Sequence, residues 1–166
     1  MTFVVSLEKE TLIFSAAHFI TFADSSGHVV CESMHGHNYR VAAEVEGSLD
    51  DHGCVIDFIW LRDTLKSITG ELDHRVLLPA HHPRIDVTLE NGEVTARFDD
   101  RRWLLPEQDV RVLPLDNTSA ERLAGYIGGR LIEALQQTGP GTDRLTRLSV
   151  GVDENEGQWG RWESRL

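Results

Sequence analysis

From residue 3 to residue 20 the chain alternates with a period near two, and so long an extended run has to be built into a sheet. Leu12, Phe14, Ala16, His18 and Ile20 share one face; Thr11, Ile13, Ser15 and Ala17 lie opposite. His18 falls near the end of this strand. Residues 21 to 34 read as a loop centred on Ser25-Ser26-Gly27. The alternation resumes at His35, with His35, His37, Tyr39, Val41, Ala43 and Val45 on one face and Asn38, Arg40, Glu44 and Glu46 on the other. The turn-forming stretch SLDDHG, 48 to 53, then closes what reads as an antiparallel hairpin.

Helical spacing follows. Asp57 is placed to cap a helix whose apolar stripe is Phe58, Leu61, Leu65, Ile68 and Leu72. VTLENGEVTARF, 87 to 98, predicts a tight hairpin around Asn91-Gly92. Thr118 and Glu121 have the spacing of a capping box for a second helix, with Leu123, Ile127, Leu131 and Leu135 as its stripe and TGPG at its end. LTRLSVGVDE, 145 to 154, returns to strand, with Leu148, Val150, Val152 and Glu154 on one face. The order β-β-α-(hairpin)-α-β-β predicts an α+β fold, two helices on an antiparallel sheet. A chain of 166 residues without repeats or linkers is expected to form one domain, 1 to 166.

A net charge of −11 excludes a general nucleic-acid binder. No apolar run approaches the roughly 20 residues needed to span a membrane, and the N-terminus lacks the pattern of a signal peptide. The expected location is cytoplasmic. Two cysteines make no disulfide framework. Cys54 reads as a small apolar residue entering a strand, whereas Cys31 sits among polar residues close to histidines.

CESMHGHNYR, 31 to 40, concentrates the chemistry. Histidines at i and i+2 of a strand point the same way, roughly 6 to 7 Å apart at Cα, so both rings can reach one metal ion. His18 is available as a third nitrogen from the neighbouring strand. Three histidines with an open position form a catalytic zinc arrangement. Cys31 is then either a fourth ligand, which closes the site, or a thiolate beside the metal. Asp73 and His74, just past the first helix, are either a solvated pair or a proton carrier with its orienting carboxylate. Glu154 continues an apolar face, where a carboxylate needs paired donors.

These residues resemble the 6-pyruvoyltetrahydropterin synthase and 6-carboxytetrahydropterin synthase family. The resemblance runs in order through FSAAH (14 to 18), C-x3-HGHNY (31 to 39), GCVIDF (53 to 58), LDH (72 to 74), TSAE (118 to 121) and V-D-E (152 to 154). It covers nearly everything except about 80 to 112, which looks like an insertion carrying the Asn91-Gly92 hairpin. The resemblance implies a T-fold and a homohexamer, a dimer of trimers with active sites between subunits. It implies zinc on His18, His35 and His37, and 7,8-dihydroneopterin triphosphate as substrate. Cys31 becomes the thiolate base, Asp73 and His74 a second proton-handling pair. Glu154 holds the pterin N–H groups, with Thr118 and Ser119 also at the substrate.

The spacing Cys-x3-His-Gly-His resembles the 6-carboxytetrahydropterin branch of the 7-deazaguanine (queuosine) route, where the side chain is cleaved with loss of acetaldehyde and triphosphate. The pyruvoyl branch, which eliminates triphosphate and keeps the carbons, is the alternative, as is a pterin-binding homologue with another substrate. Two positions depart from the family pattern: Ala120 intervenes before Glu121 in a stretch that commonly reads P-T-S-E, and Asn155 stands where a threonine is common.

Overall fold

The computed structural model describes every residue from Met1 to Leu166. In chain order the strands and α-helices are β1 (Phe3–His18), β2 (Thr21–Ala23), β3 (Val29–Cys31), β4 (His35–Gly47), α1 (Phe58–Gly70), β5 (Arg75–Pro79), β6 (Asp86–Glu90), β7 (Glu93–Phe98), β8 (Arg101–Pro106), β9 (Val110–Leu113), α2 (Ala120–Thr138), β10 (Leu145–Asp153) and β11 (Trp159–Arg165). The main sheet has the order β11-β10-β4-β1-β5-β9. No helix is long and apolar enough to cross a membrane. Backbone contacts divide the chain into two compact units. One is Met1–Phe14, Asn38–Glu71 and Ala120–Leu166; the other is Ser15–His37 and Leu72–Ser119.

In the first unit the alternation read from the sequence sets the faces. Leu12, Phe14, Tyr39, Val41 and Val45 are buried, while Ile13 is 50% exposed on the opposite face. β10 pairs antiparallel with both β4 and β11, Val150 standing between Ala43 and Trp162. Helix α2 lies against β10 and β11, and α1 against α2. Leu123, Ile127, Leu131 and Leu135 are buried, as their spacing requires. Asp57 caps α1 by accepting the Ile59 N–H at 2.7 Å. The α1 stripe is narrower than its spacing suggests, because Phe58 is 50% exposed and Leu72 lies beyond the helix. Arg130 of α2 holds Glu71 through both carboxylate oxygens, at 3.0 and 2.8 Å, which pins the end of α1.

The second unit holds the parallel pairings that make the sheet mixed rather than wholly antiparallel. Ala16 of β1 pairs with Arg75 of β5, and Leu77 of β5 with Arg111 of β9, both parallel. Parallel neighbours need a long crossover, and residues 80 to 109 supply the one between β5 and β9. That stretch is a three-stranded meander, β6-β7-β8. The Asn91-Gly92 turn is present, both residues with positive φ, but a third strand joins the hairpin. The meander has its own core: Ile85, Val94, Ala96 and Phe98 with Phe19 and Leu78.

Gly128 is where α2 meets β11 most closely. A Cβ there would stand 2.2 Å from two ring carbons of Trp162, whereas nothing lies within 4 Å of one at Gly129. Gly128→Ala should therefore lower the unfolding free energy by about 1–3 kcal/mol through overpacking, net of its gain in helix propensity. Gly129→Ala should raise it by about 0.5–1 kcal/mol. Urea unfolding of the two variants measures both, and equal shifts would contradict the packing account.

Candidate metal and proton-transfer site

The site begins where β1 ends. His18 is fully buried, and its ring Nδ1–H donates to the carbonyl of Thr118 at 2.9 Å. A carbonyl oxygen only accepts, so the proton belongs on Nδ1 and the lone pair of the neutral ring on Nε2. His35, the first residue of β4, repeats the device with Nδ1–H donating to Ser33 O at 2.8 Å. His37 follows two residues on, on the same face. Gly36 lies between them against β1, where a Cβ would come within 3.3 Å of Ala16 O.

The three rings meet edge to face, with centroids 4.8 Å apart for His18–His35 and His35–His37 and 5.3 Å for His18–His37. Their ligand atoms all lie within 4.8 Å of one another. Nitrogens on a tetrahedral zinc at 2.0 to 2.1 Å are about 3.4 Å apart, so the three rings are close enough together to serve one ion. Imidazoles with Nδ1–H committed to carbonyls, as in His18 and His35, are donors that zinc takes, and three histidines would leave room for a further ligand. The metal-competent group is these three histidines; Cys31 is not among them.

Cys31 ends β3, half-buried, with its thiol donating to Glu32 O at 3.5 Å. Burial pushes the thiol up, and the Arg101 guanidinium opposes that shift. Glu32 was not singled out from the sequence. Its Oε2 lies 3.8 Å from His35 Nε2, so it brings a carboxylate to the edge of the cluster. The adjacency to Cys31 and the three-residue spacing to His35 were its only sequence signals.

Asp73 and His74 form a second group tied to the same strand as His18. Asp73 Oδ1 accepts the Ser15 N–H at 2.8 Å, Oδ2 lies 2.9 Å from His74 Nδ1, and the His74 N–H donates to Ser15 O at 2.7 Å. The Ser15 bond, with His74 adding to it, holds the Asp73 carboxyl below its ordinary value. Asp73 is therefore ionised and orients a ring whose side chain is 79% exposed. His74 adopts φ 56°, in the left-handed region.

Thr118 is fully buried, and its hydroxyl donates to Phe19 O at 3.3 Å. Helix α2 starts at Ala120, so Thr118 serves the end of β1 more directly than the helix. Ser119, half-buried, is the residue before that helix. Glu154 belongs to the other unit, just past β10, where its N–H donates to Gln158 O. Burial, and then the Glu154 charge, push the Tyr39 hydroxyl up. Its neighbour Asp153, also missed in the sequence, is 1% exposed and accepts from Arg40 at 2.6 and 3.0 Å. Burial raises the Asp153 carboxyl, but the Gly157 N–H and Arg40 more than offset it.

The family model for 6-pyruvoyl tetrahydropterin synthase matches residues 7–164. A Methanocaldococcus jannaschii protein provisionally named 6-carboxy-5,6,7,8-tetrahydropterin synthase is 30% identical over 148 residues, 89% of this chain and 86% of the relative. A Pyrococcus abyssi protein of the same provisional name is 33% identical over 133 residues, 78% of each chain. The crystal structure of Plasmodium vivax 6-pyruvoyltetrahydropterin synthase aligns with a TM-score of 0.91 and 26% identity, covering 100% of this chain and 99% of that one. The meander therefore has a counterpart there. Two further P. vivax structures carry a glutamate, described as a catalytic residue, replaced by alanine or cysteine.

The Asp73 contacts carry a pH signature. A carboxyl with a lowered native pKa adds stability that is complete above its unfolded value and is lost as pH falls through the native one. Asp73→Asn should be less stable than the parent at pH 7. The gap should close as pH falls through and below the ordinary carboxylate range. Urea unfolding across that range measures it, and a gap independent of pH would remove the ionised contact from the account.

Proposed function

The chain belongs to the 6-pyruvoyl tetrahydropterin synthase family, and from that membership we propose that it is a zinc-dependent lyase that converts 7,8-dihydroneopterin triphosphate to 6-carboxy-5,6,7,8-tetrahydropterin. The observation that carries this reading is the cluster of His18, His35 and His37, two of them with Nδ1–H committed to a carbonyl. The relatives named for the carboxy product supply the choice of branch. The reaction belongs to the 7-deazaguanine (queuosine) route. The working form is a hexamer of two trimers with shared sites.

His18, His35 and His37 would hold the metal through ring nitrogens. A zinc ion there would supply Lewis acidity, which makes C–H bonds next to a polarised oxygen more acidic. Cys31 takes a carbon-bound proton as thiolate, and Arg101 favours that form against burial. His74 moves a second proton, with ionised Asp73 fixing its ring through Nδ1. Glu154 accepts the paired N–H groups of the pterin edge. Thr118 sets His18 through its carbonyl, and Ser119 offers its hydroxyl to the substrate.

One observation favours a second reading. Glu32 stands 3.8 Å from His35, and the P. vivax 6-pyruvoyltetrahydropterin synthase has a glutamate described as catalytic. In this reading Glu32 carries the proton and the pyruvoyl product forms, triphosphate leaving while all three carbons stay.

Zinc-loaded protein incubated with 7,8-dihydroneopterin triphosphate and followed by mass spectrometry separates the two. Acetaldehyde and the carboxy product support the first, a pyruvoyl product the second, and unchanged substrate neither. In the first reading Cys31→Ala lowers turnover by about 10²–10⁴-fold and Glu32→Gln by much less. In the second the order reverses. Both variants should keep bound zinc by atomic absorption, whereas His35→Ala should lose it. A sedimentation mass near that of one 18.7 kDa chain would sink the hexamer.

A further inference from the structure

β3 is three residues long, too short to hold its own position, yet it delivers Cys31 and the turn that leads to His35. Its main chain is held from two sides. Thr21 pairs with Cys31, and the Glu32 N–H donates to Ile20 O at 3.0 Å. The carbonyls are met by arginines from the far side of the chain. Arg84 Nη1 donates to Val29 O at 3.1 Å, and Arg101 Nη1 donates to Cys31 O at 2.8 Å and to Glu32 O at 2.9 Å.

Arg101 is itself braced. It opens β8, its guanidinium lies 4.7 Å from the Trp103 ring centroid, and Trp103 stacks on Phe19 at 4.3 Å with 15° between the planes. Phe19 is fully buried and follows His18 directly. The meander core packs against Cys31 and Met34 as well. Guanidinium, indole and phenyl form one stack that ends beside a metal-competent histidine and, at its other end, grips the carbonyls of Cys31 and Glu32. A charged donor shared between two carbonyls is strong and directional, and only a side chain anchored along its length can hold it.

We propose that Arg101 is a positioning residue, through which the meander fixes the Cys31–Glu32 backbone and aims both side chains. This rests on the reading of Cys31, or in the second reading Glu32, as the proton carrier. Arg101 touches neither substrate nor metal ligands in this role. It gives the meander, which carries none of the family motifs, a part in the chemistry. The connection from β5 to β9 doubles as the scaffold of a catalytic turn.

Arg101→Met keeps an apolar stem over Trp103 and removes the donors; Arg101→Lys keeps a charged donor. Arg102→Met, at the exposed neighbour, is the control. In zinc-loaded protein with 7,8-dihydroneopterin triphosphate, Arg101→Met should lower kcat by about 10–100-fold with little change in KM, and Arg101→Lys should recover most of it. Amide hydrogen exchange over 29 to 34 should quicken by about tenfold or more in Arg101→Met, with zinc content unchanged and exchange elsewhere as in the parent. Unchanged exchange in that segment, exchange that quickens over the whole chain in both variants, or a lysine variant no better than methionine would each overturn the proposal. If the parent leaves this substrate unchanged, the functional reading falls while the exchange comparison still decides whether Arg101 holds the turn.

Discussion

The Nδ1–H of His18 donates to a carbonyl 100 residues away in the chain, and much of its unit is arranged so that this bond can form. Around it residues 18 to 21 and 117 to 118 are joined by a short ladder. Thr118 returns its hydroxyl to Phe19 O, and the Asn117 side chain meets Thr21 at both N–H and carbonyl. Asn117 stands in for a paired strand, using a side-chain amide where a backbone would normally serve. Without this ladder a buried histidine at the end of β1 would be free to choose its tautomer. With it, the ring that is hardest for solvent to reach has its electron pair assigned.

Much of this was legible in the chain because it is periodic. The two alternating runs that became β1 and β4 placed His18, His35 and His37 on usable faces, and Asp57 marked the start of α1. What escaped has a common cause. β8 alternates half-buried Arg101, Trp103 and Leu105 with exposed Arg102 and Leu104, so both faces carry charge and apolar bulk and no period stands out. The parallel pairing of β5 with β1 and β9 is a fact of crossovers, invisible to any local window. Apart from Glu32, whose partner His35 is three residues on, the residues missed at the site take their meaning from a distant partner: Arg101 finds Cys31 O 70 residues away and Arg40 finds Asp153 113 residues away.

Asp153 and Glu154 show how neighbouring carboxylates can be put to different uses. The first is buried at 1% exposure and fully committed, to Arg40 and to the Gly157 N–H. Removing either partner would leave a charge in a place it cannot tolerate, so the turn from β10 to β11 is held where it is. Glu154, one residue on, inherits that rigidity and remains half-buried.

The left-handed backbone of His74 places two kinds of fitness in opposition. Any L-residue carrying a Cβ is less comfortable at φ 56° than glycine, which would sit there without strain. Random substitution screened for thermal stability alone would thus be drawn toward removing the imidazole. Any lineage that keeps His74 does so against that pull, and a stabilised relative that has lost it would have given up the imidazole that Asp73 holds.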